Sequence, residues 1–353
     1  MTIKTKMQQT SETRTEFWND SCSIRELTEA VAQGAVGATS NPMIVYNVIS
    51  NEREIWKDTL QAIIKNYPDD SEDEITWRLI ETIGMKAANV LDNVYRTYKG
   101  TKGRLSLQVN PMHFRSTGKM TAHAKYLAAL APNMAIKVPC VGAGMDAIEE
   151  LTAAGICVNV TVSFTVAQAL AAAERIERGL NRAKANGIDI NTFTPYVTIM
   201  VGRLDDQLKR VMNSEKISID PGYLEWAGVA AFKKAYQIFQ QKGYRSKLLS
   251  AAYRNHMHWS EFIGGDVVVS MPYEWWNRFN NSEVEVIPRI HIPVREEIVD
   301  TLYGTFKDFR TAYDEDGMKE SDFIHFGASI HTLNQFITGY QNLQTLIREA
   351  ILV

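Results

Sequence analysis

Short apolar runs alternate with longer amphipathic segments along most of the chain. Eight of the runs have strand composition: Thr15–Asp20, Ala35–Asn41, Arg104–Asn110, Met134–Pro139, Cys157–Ser163, Tyr196–Gly202, Lys247–Tyr253 and Val267–Pro272. Between them apolar residues recur at helical spacing, as in Met145–Ala154 (MDAIEELTAA) and Val166–Leu180 (VAQALAAAERIERGL). Strands alternating with helices predict parallel pairing through right-handed crossovers. Eight such units predict an α/β fold closed as a (β/α)8 TIM barrel rather than an open doubly wound sheet. Asn51 to Lys99 adds two or three helices between the second and third strands, and beyond Pro293 the pattern is helical to Val353. We expect one domain over residues 1–353, with a barrel over about 15–292 and a C-terminal helical extension over 293–353 packed on it. The acidic stretch Asn66–Glu74 reads as a surface loop, and no internal repeat or low-complexity tract interrupts the pattern.

Within the strands, polar residues fall on one parity. Ser106, Gln108 and Asn110 alternate with Leu105, Leu107 and Val109; Asn159, Thr161 and Ser163 alternate with Val158, Val160 and Val162. Lys137 interrupts Ile136 and Val138. Strand side chains alternate faces, and helices cover the outside of a barrel, so the aliphatic set faces outward and the polar set fills the interior. A lysine, a glutamine, an asparagine and a threonine then share one cavity near the C-terminal mouth. Single Thr or Asn residues in strands are usually satisfied structural groups. A buried ammonium is costly unless paired or neutral, which leaves two readings of Lys137: a catalytic amine with a lowered pKa, or half of a structural ion pair.

Composition narrows the function. The 353 residues include 38 basic and 41 acidic side chains, a formal net charge of −3, which argues against a general nucleic-acid or membrane-surface binder but not against a small anionic ligand. Cys22, Cys140 and Cys157 form no CxxC pair and imply neither a disulfide framework nor a zinc site. The polar N-terminus lacks a signal-peptide core and no window approaches the roughly 18 apolar residues of a membrane span, so the expected compartment is the cytoplasm. His256 and His258 have metal-pair spacing but no accompanying carboxylate cluster, and Trp275 and Trp276 are expected to pack under the C-terminal helices rather than line the mouth.

The block IKVPCVGAGMDAIEELTAAGICVNVTVSFTVAQALAA, from Ile136 onward, resembles the segment around the Schiff-base lysine of the transaldolase family, class I aldolases on a (β/α)8 barrel. Asn159 and Thr161 follow Lys137 by 22 and 24 residues without a gap. Gly37–Pro42 (GATSNP) resembles the family's TTNP turn, and Asp20 stands 21 residues before Asn41, where the family has its strand-1 aspartate. Val201–Asp206 (VGRLDD) resembles FVGRI-D, and Ser250–Asn255 (SAAYRN) resembles ASFRN. The resemblance runs from about Asp20 to Pro272. It implies that Lys137 forms an iminium with a ketose, that Asp20 takes the C4 hydroxyl proton during C3–C4 cleavage, and that Gln108 and Thr161 hold the proton-shuttling water. It further implies that Asn41, Asn159 and Thr198 contact substrate and that Arg203 and Arg254 hold a phosphate. No metal or organic cofactor is implied; the partners are small sugar phosphates, with a homo-oligomer compatible.

Each residue also has a plainer reading. Asp20 is a possible N-cap for the helix SIRELTEA, Asn41 a turn residue before Pro42, and Arg203 a partner for Asp205 or Asp206. The chain departs from the family at Gln108, where a glutamate is usual, at Met200, where an aromatic is usual, and at Ala252, where a serine is usual. Fructose-6-phosphate aldolases carry the glutamine together with a sixth-strand tyrosine; Tyr196 fills that role only if the strand shifts, whereas the gapless match puts Thr198 at the family's serine. Dihydroxyacetone transfer is the leading expectation. The alternatives are a lyase releasing a free three-carbon ketone or ketol, and a non-catalytic sugar-phosphate-binding barrel.

Overall fold

The structure is a computed structural model that describes residues 4–352, so Val353, the end of the expected helical run, lies outside the described residues. Eight parallel strands close a barrel in sequence order. They are β1 (Glu16–Asn19), β2 (Gly37–Thr39), β3 (Arg104–Gln108), β4 (Met134–Pro139), β5 (Val158–Thr161), β6 (Tyr196–Ile199), β7 (Lys247–Ser250) and β8 (Val268–Met271), with β8 returning to pair with β1. Each lies within the run predicted for it, and β4 coincides with its run. The others are shorter by two to four residues, and among the residues left outside the sheet are Asp20, Asn41 and Asn110 at the C-terminal ends. Asn41 caps the helix Pro42–Asn51, accepting a bond from the Ile44 amide at 3.0 Å, with Pro42 in the first turn. Asn110 caps a short 3₁₀ turn in the same way, accepting from the Met112 amide.

The parity argument describes the interior. Leu105, Leu107, Ile136, Val138, Val158 and Val160 are buried under the helical layer, while the alternate positions meet across the barrel. Near the bottom the Trp18 indole stands edge-on to Tyr196 at 4.6 Å between ring centroids. Gly37 makes room for it, since a Cβ there would run into the indole ring. Above this layer the polar residues satisfy one another. Thr198 Oγ1 donates to Asn159 Oδ1 at 2.8 Å, Asn159 Nδ2 donates to Ser106 Oγ at 2.9 Å, and Thr39 Oγ1 lies 2.9 Å from Ser270 Oγ. Such a floor keeps buried polar groups paired and fixes the side chains above it.

Four helices separate β2 from β3: Pro42–Asn51, Arg53–Asn66, Glu72–Val90 and Asp92–Thr97. Asn66–Glu74 contains the expected loop, and its Ser71 caps the helix Glu72–Val90 in a reciprocal capping box with Glu74. After β8 the chain forms Tyr273–Asn280, Glu296–Thr305, Lys307–Tyr313 and a long C-terminal helix, Gly327–Ile351. This last helix crosses the mouth. Gly339 touches the Met43 backbone, where a Cβ would sit 2.8 Å from Met43 Cα, and Arg348 grips Glu72 with two bonds of 2.6 Å. The Tyr340 hydroxyl adds a bond to Asp73. Among the described residues no helix is long and apolar enough to cross a membrane.

Candidate active site

A cavity of about 230 Å³ opens at the C-terminal ends of the strands. Five predicted site residues line it: Asp20, Asn41, Lys137, Arg203 and Arg254. The volume is below the ~300–1,000 Å³ of drug-sized pockets and suits a small polar molecule. A larger cleft of about 470 Å³ between Arg53–Asn66 and the end of the C-terminal helix lies on the outer helices, and none of the barrel's inward polar residues reaches it.

Lys137 projects from the middle of β4, with Gln108 and Asn159 as its register partners on β3 and β5. It is 5% exposed, and among the described residues no carboxylate comes within 4.0 Å of its Nζ. Its near neighbour is instead the Phe336 ring, with Nζ 6.0 Å from the centroid. Burial lowers the lysine's pKa, and the opposing charge of Asp20 offsets this only in part. Of the two readings open from the sequence, the ion-paired lysine is not found. The arrangement favours a neutral amine, which is the nucleophilic form.

Asp20 stands just past the end of β1 with partial solvent contact. Burial raises its pKa, while Lys137, the Thr39 hydroxyl and Arg203 pull it down. Thr39 Oγ1 donates to Asp20 Oδ1. The N-cap alternative fails, because Ser23 caps the helix Ile24–Ala32. An amine with lowered proton affinity and a carboxylic acid with raised affinity thus face one cavity, an arrangement suited to carbonyl attack with proton transfer.

The arginines divide their work differently from the sequence alternatives. Arg254 forks onto Asp206, with Nη2 2.7 Å from Oδ2 and Nε 3.1 Å from both oxygens, and its Nη1 donates to the Tyr253 carbonyl at 2.7 Å. Arg203 approaches Asp206 only to 4.0 Å, and its Nε is buried without a partner. Burial, then the neighbouring Arg254, lowers the pKa of Arg203. Asp205 turns away altogether. Its Oδ2 lies 2.9 Å from His258 Nε2, and its Oδ1 accepts the Gly228 amide at 2.8 Å. His258 Nδ1 accepts the Arg254 amide at 3.0 Å, so the proton of the neutral ring sits on Nε2. The histidine of the HMH pair therefore holds the Arg254 loop, and among the described residues no group of three or more His, Cys, Asp or Glu side chains could hold a metal.

Four predicted residues lie beneath the cavity surface. Asn159 and Thr198 belong to the hydrogen-bonded floor, Thr161 Oγ1 is 3.9 Å from Met200 Sδ, and Gln108 Oε1 is buried with no protein partner. Tyr196 is two residues too deep. It packs on Trp18, its hydroxyl is unpartnered among the described residues, and it does not line the cavity. The tryptophans split. Trp276 packs as expected and donates to Asn19 Oδ1 at 3.1 Å, but Trp275 lines the mouth, contrary to expectation, because the helix Tyr273–Asn280 starts directly after β8 and turns that residue toward the opening. Gln335 and Phe336 were not anticipated. They lie on an ordinary amphipathic helix some 200 residues from Lys137, and no local signal marks them.

The comparisons agree with this geometry. The model of the family described as Transaldolase/Fructose-6-phosphate aldolase matches residues 17–331. A transaldolase of Saccharopolyspora erythraea is 30% identical over 244 residues, covering 67% of this chain and 64% of the relative. Transaldolase 2 of Streptomyces coelicolor is 29% identical over 234 residues (64% and 62%), and a transaldolase of Thermobifida fusca 31% over 226 residues (60% and 60%). The chain thus spans a little under two thirds of the length of these relatives. With the barrel closed in sequence order, the lysine on β4 and the family match running from β1 into the C-terminal helix, the chain belongs to the transaldolase/fructose-6-phosphate aldolase family.

Proposed function

We propose that the protein is a transaldolase, transferring a dihydroxyacetone unit between sugar phosphates through a Schiff base on Lys137. The observation that carries this reading is the buried Lys137 amine, without a carboxylate within 4.0 Å, opening onto the same small cavity as Asp20 and Arg203. A protein that only held a sugar phosphate would have no use for such an amine, since burying it costs stability.

In this reading neutral Lys137 Nζ attacks the ketose carbonyl carbon. The carbinolamine loses its oxygen as water and leaves an iminium. Asp20 takes the C4 hydroxyl proton; the C3–C4 bond breaks, its electron pair flows to the iminium nitrogen, and the aldehyde departs. The enamine left on Lys137 then adds to the carbonyl carbon of an acceptor aldose, Asp20 returns the proton to the new alkoxide, and water releases the product ketose. Gln108, whose carboxamide oxygen accepts no bond from the protein, and Thr161 hold the water that carries protons during dehydration and hydrolysis. Asn159 and Thr198 orient the donor from the floor, Asn41 binds substrate at the rim, Arg203 offers free donors to the phosphate, and Arg254, its fork spent on Asp206, adds charge.

One feature favours a second reading. Gln108 stands where transaldolases usually carry a glutamate, and the related fructose-6-phosphate aldolases carry a glutamine there, which suits a lyase that releases a free ketone or ketol. Incubating the protein with fructose 6-phosphate or dihydroxyacetone, reducing with borohydride and mapping the adduct by mass spectrometry tests the Schiff base. An adduct on Lys137, absent in Lys137→Met, supports it; no adduct with any ketose removes both catalytic readings. Aldehyde release that requires an acceptor aldose marks transfer, and release without one marks the lyase.

A further inference from the structure

The C-terminal helix Gly327–Ile351 reaches the cavity where Ala252, on the same wall, offers no side-chain donor. Gln335 lines the cavity beside Arg203 and Arg254, half-buried, with Nε2 3.0 Å from His331 Nε2 one turn earlier on the same helical face. Burial, with the fields of Arg210 and Arg203, keeps the His331 pKa below the usual histidine value, so the neutral ring can accept from the Gln335 amide. That contact fixes the amide plane and leaves Gln335 one N–H to direct at a ligand. Around it the charges do not balance. Arg203, Arg210 and Arg254 face two carboxylates, Asp206 and the more distant Asp20; Arg254 takes both oxygens of Asp206, and Asp20 also faces Lys137.

We propose that Gln335, oriented by His331, is a phosphate-binding residue of this site, so that the C-terminal helix recognises the phosphorylated end of the substrate together with Arg203. The proposal deepens the transaldolase reading and rests on it for the identity of the sugar. The anion recognition itself is independent of Schiff-base chemistry. A dianionic phosphate monoester meets the guanidinium of Arg203, whose Nε has no protein partner among the described residues, and a neutral N–H donor whose geometry is set before the ligand arrives, which keeps the ordering cost low. His331 is a positioning residue, acting only through Gln335.

The test is calorimetric titration of inorganic phosphate into the full chain, wild type beside Gln335→Ala and Gln335→Glu. Both changes fall at a half-buried helical position where alanine and glutamate are good helix formers, and unfolding midpoints verify that the fold is retained. Loss of one charge-assisted bond predicts that Gln335→Ala weakens phosphate about tenfold, and that Gln335→Glu, opposing the anion, weakens it further. In turnover, the KM for a phosphorylated ketose rises more than kcat falls, and the loss exceeds that for unphosphorylated dihydroxyacetone by about the same tenfold factor. His331→Ala gives a smaller rise in KM that His331→Gln partly restores. Phosphate binding to Gln335→Ala as tight as to wild type overturns the proposal, as does a wild type that binds no phosphate. If phosphate binding falls in Gln335→Ala while Lys137 traps no ketose, the enzymatic reading fails and this one stands. If Lys137 traps ketoses and Gln335→Ala binds phosphate normally, only this one fails.

Discussion

Replacing Lys137 by methionine separates the two meanings of a buried lysine because they predict opposite signs for stability. Methionine nearly matches the length of the aliphatic stem, so the cavity wall stays filled. If Lys137 were half of a structural ion pair, its removal would strand a buried carboxylate and cost roughly 3–5 kcal/mol. Among the described residues no carboxylate lies within 4.0 Å of Nζ, however, and burial disfavours the ammonium. Removing the amine removes the desolvation penalty of a buried ion, several kcal/mol, from which the lost attraction of Asp20 must be subtracted. We expect Lys137→Met to abolish borohydride trapping and to raise stability at pH 7 by about 1–2 kcal/mol, measured as a higher urea midpoint at unchanged slope. The pH dependence follows from the lowered folded-state pKa. Between that value and the ordinary lysine pKa the unfolded chain binds the extra proton, so wild-type stability climbs with pH through this window. The methionine variant lacks the climb. Its advantage is complete below the folded-state pKa and fades as pH approaches the free-lysine value. A variant destabilised by more than about 1 kcal/mol at pH 7 would refute the account and return Lys137 to a structural role.

Three other perturbations probe the supports of the site. Thr198→Val removes the donor to Asn159 Oδ1 and leaves a buried acceptor unpaired, so unfolding should cost about 1–3 kcal/mol less and adduct formation on Lys137 should slow; an unchanged denaturation midpoint would mean that the floor is not held as described. His258→Ala deprives buried Asp205 of a partner and frees the Arg254 amide; it should destabilise by about 1.5–3 kcal/mol and raise the KM for sugar phosphate more than it slows dihydroxyacetone trapping, a split that steady-state kinetics on both substrates would reveal. Gly37→Ala drives a methyl into the Trp18 indole and should cost roughly 1–3 kcal/mol by thermal unfolding, with Trp18→Leu in the same chain recovering part of the loss.

The sequence was most legible where one physical rule acted alone. A strand buried between barrel and helices must show aliphatic residues on its outer parity, so Leu105, Leu107, Val158 and Val160 marked the barrel, and any polar residue of the other parity had to point inward. Lys137, Gln108, Asn159 and Thr161 were found that way. Residues at the strand ends were harder. Asn41, Asn110 and Tyr253 extend apolar runs in the sequence, yet in space they are caps and loop positions, because the hydrogen-bonding pattern that ends a strand leaves no composition signal of its own. The pairing of Arg254 with Asp206, and of Asp205 with His258, was beyond reach. Two adjacent aspartates on a helix face different neighbours about 100° apart, and which neighbour each meets is decided by how β7 hands over to the loop after it. Gln335 and Phe336 lie at the far extreme, since their place over Lys137 depends on a helix anchored at Gly339, Tyr340 and Arg348.

The backbone itself carries a mark of the same division. Among the described residues, four non-glycine residues adopt positive φ: Lys99 (49°), Val162 (54°), Lys216 (54°) and Ala252 (65°). Lys216 ends a helix and Lys99 follows one, positions where a left-handed residue is common. Val162 and Ala252 have no such excuse, and a β-branched residue there is a true outlier. Both come directly after the functional ends of their strands: Val162 follows Thr161, and Ala252, two residues past β7, lines the cavity. Their surroundings hold them in place. Around Val162, the Met200 amide donates to the Ser163 carbonyl at 2.9 Å, the Phe164 amide to Gln168 Oε1 at 2.9 Å, and the Cys140 amide to the Thr161 carbonyl at 2.6 Å. Around Ala252, Gly202 packs so closely on its carbonyl that no Cβ would fit, and Arg254 Nη1 reaches the same oxygen at 3.4 Å. Each such residue costs on the order of 1–3 kcal/mol and persists only where neighbours over-determine it. In this barrel that strain sits at the rim that turns Thr161 inward and opens the wall beside Arg203, while the residues of the strands below keep ordinary negative φ. A fold that needed only stability would have placed glycine at both positions. Retaining valine and alanine there fits a mouth whose shape is set by something other than the stability of the barrel.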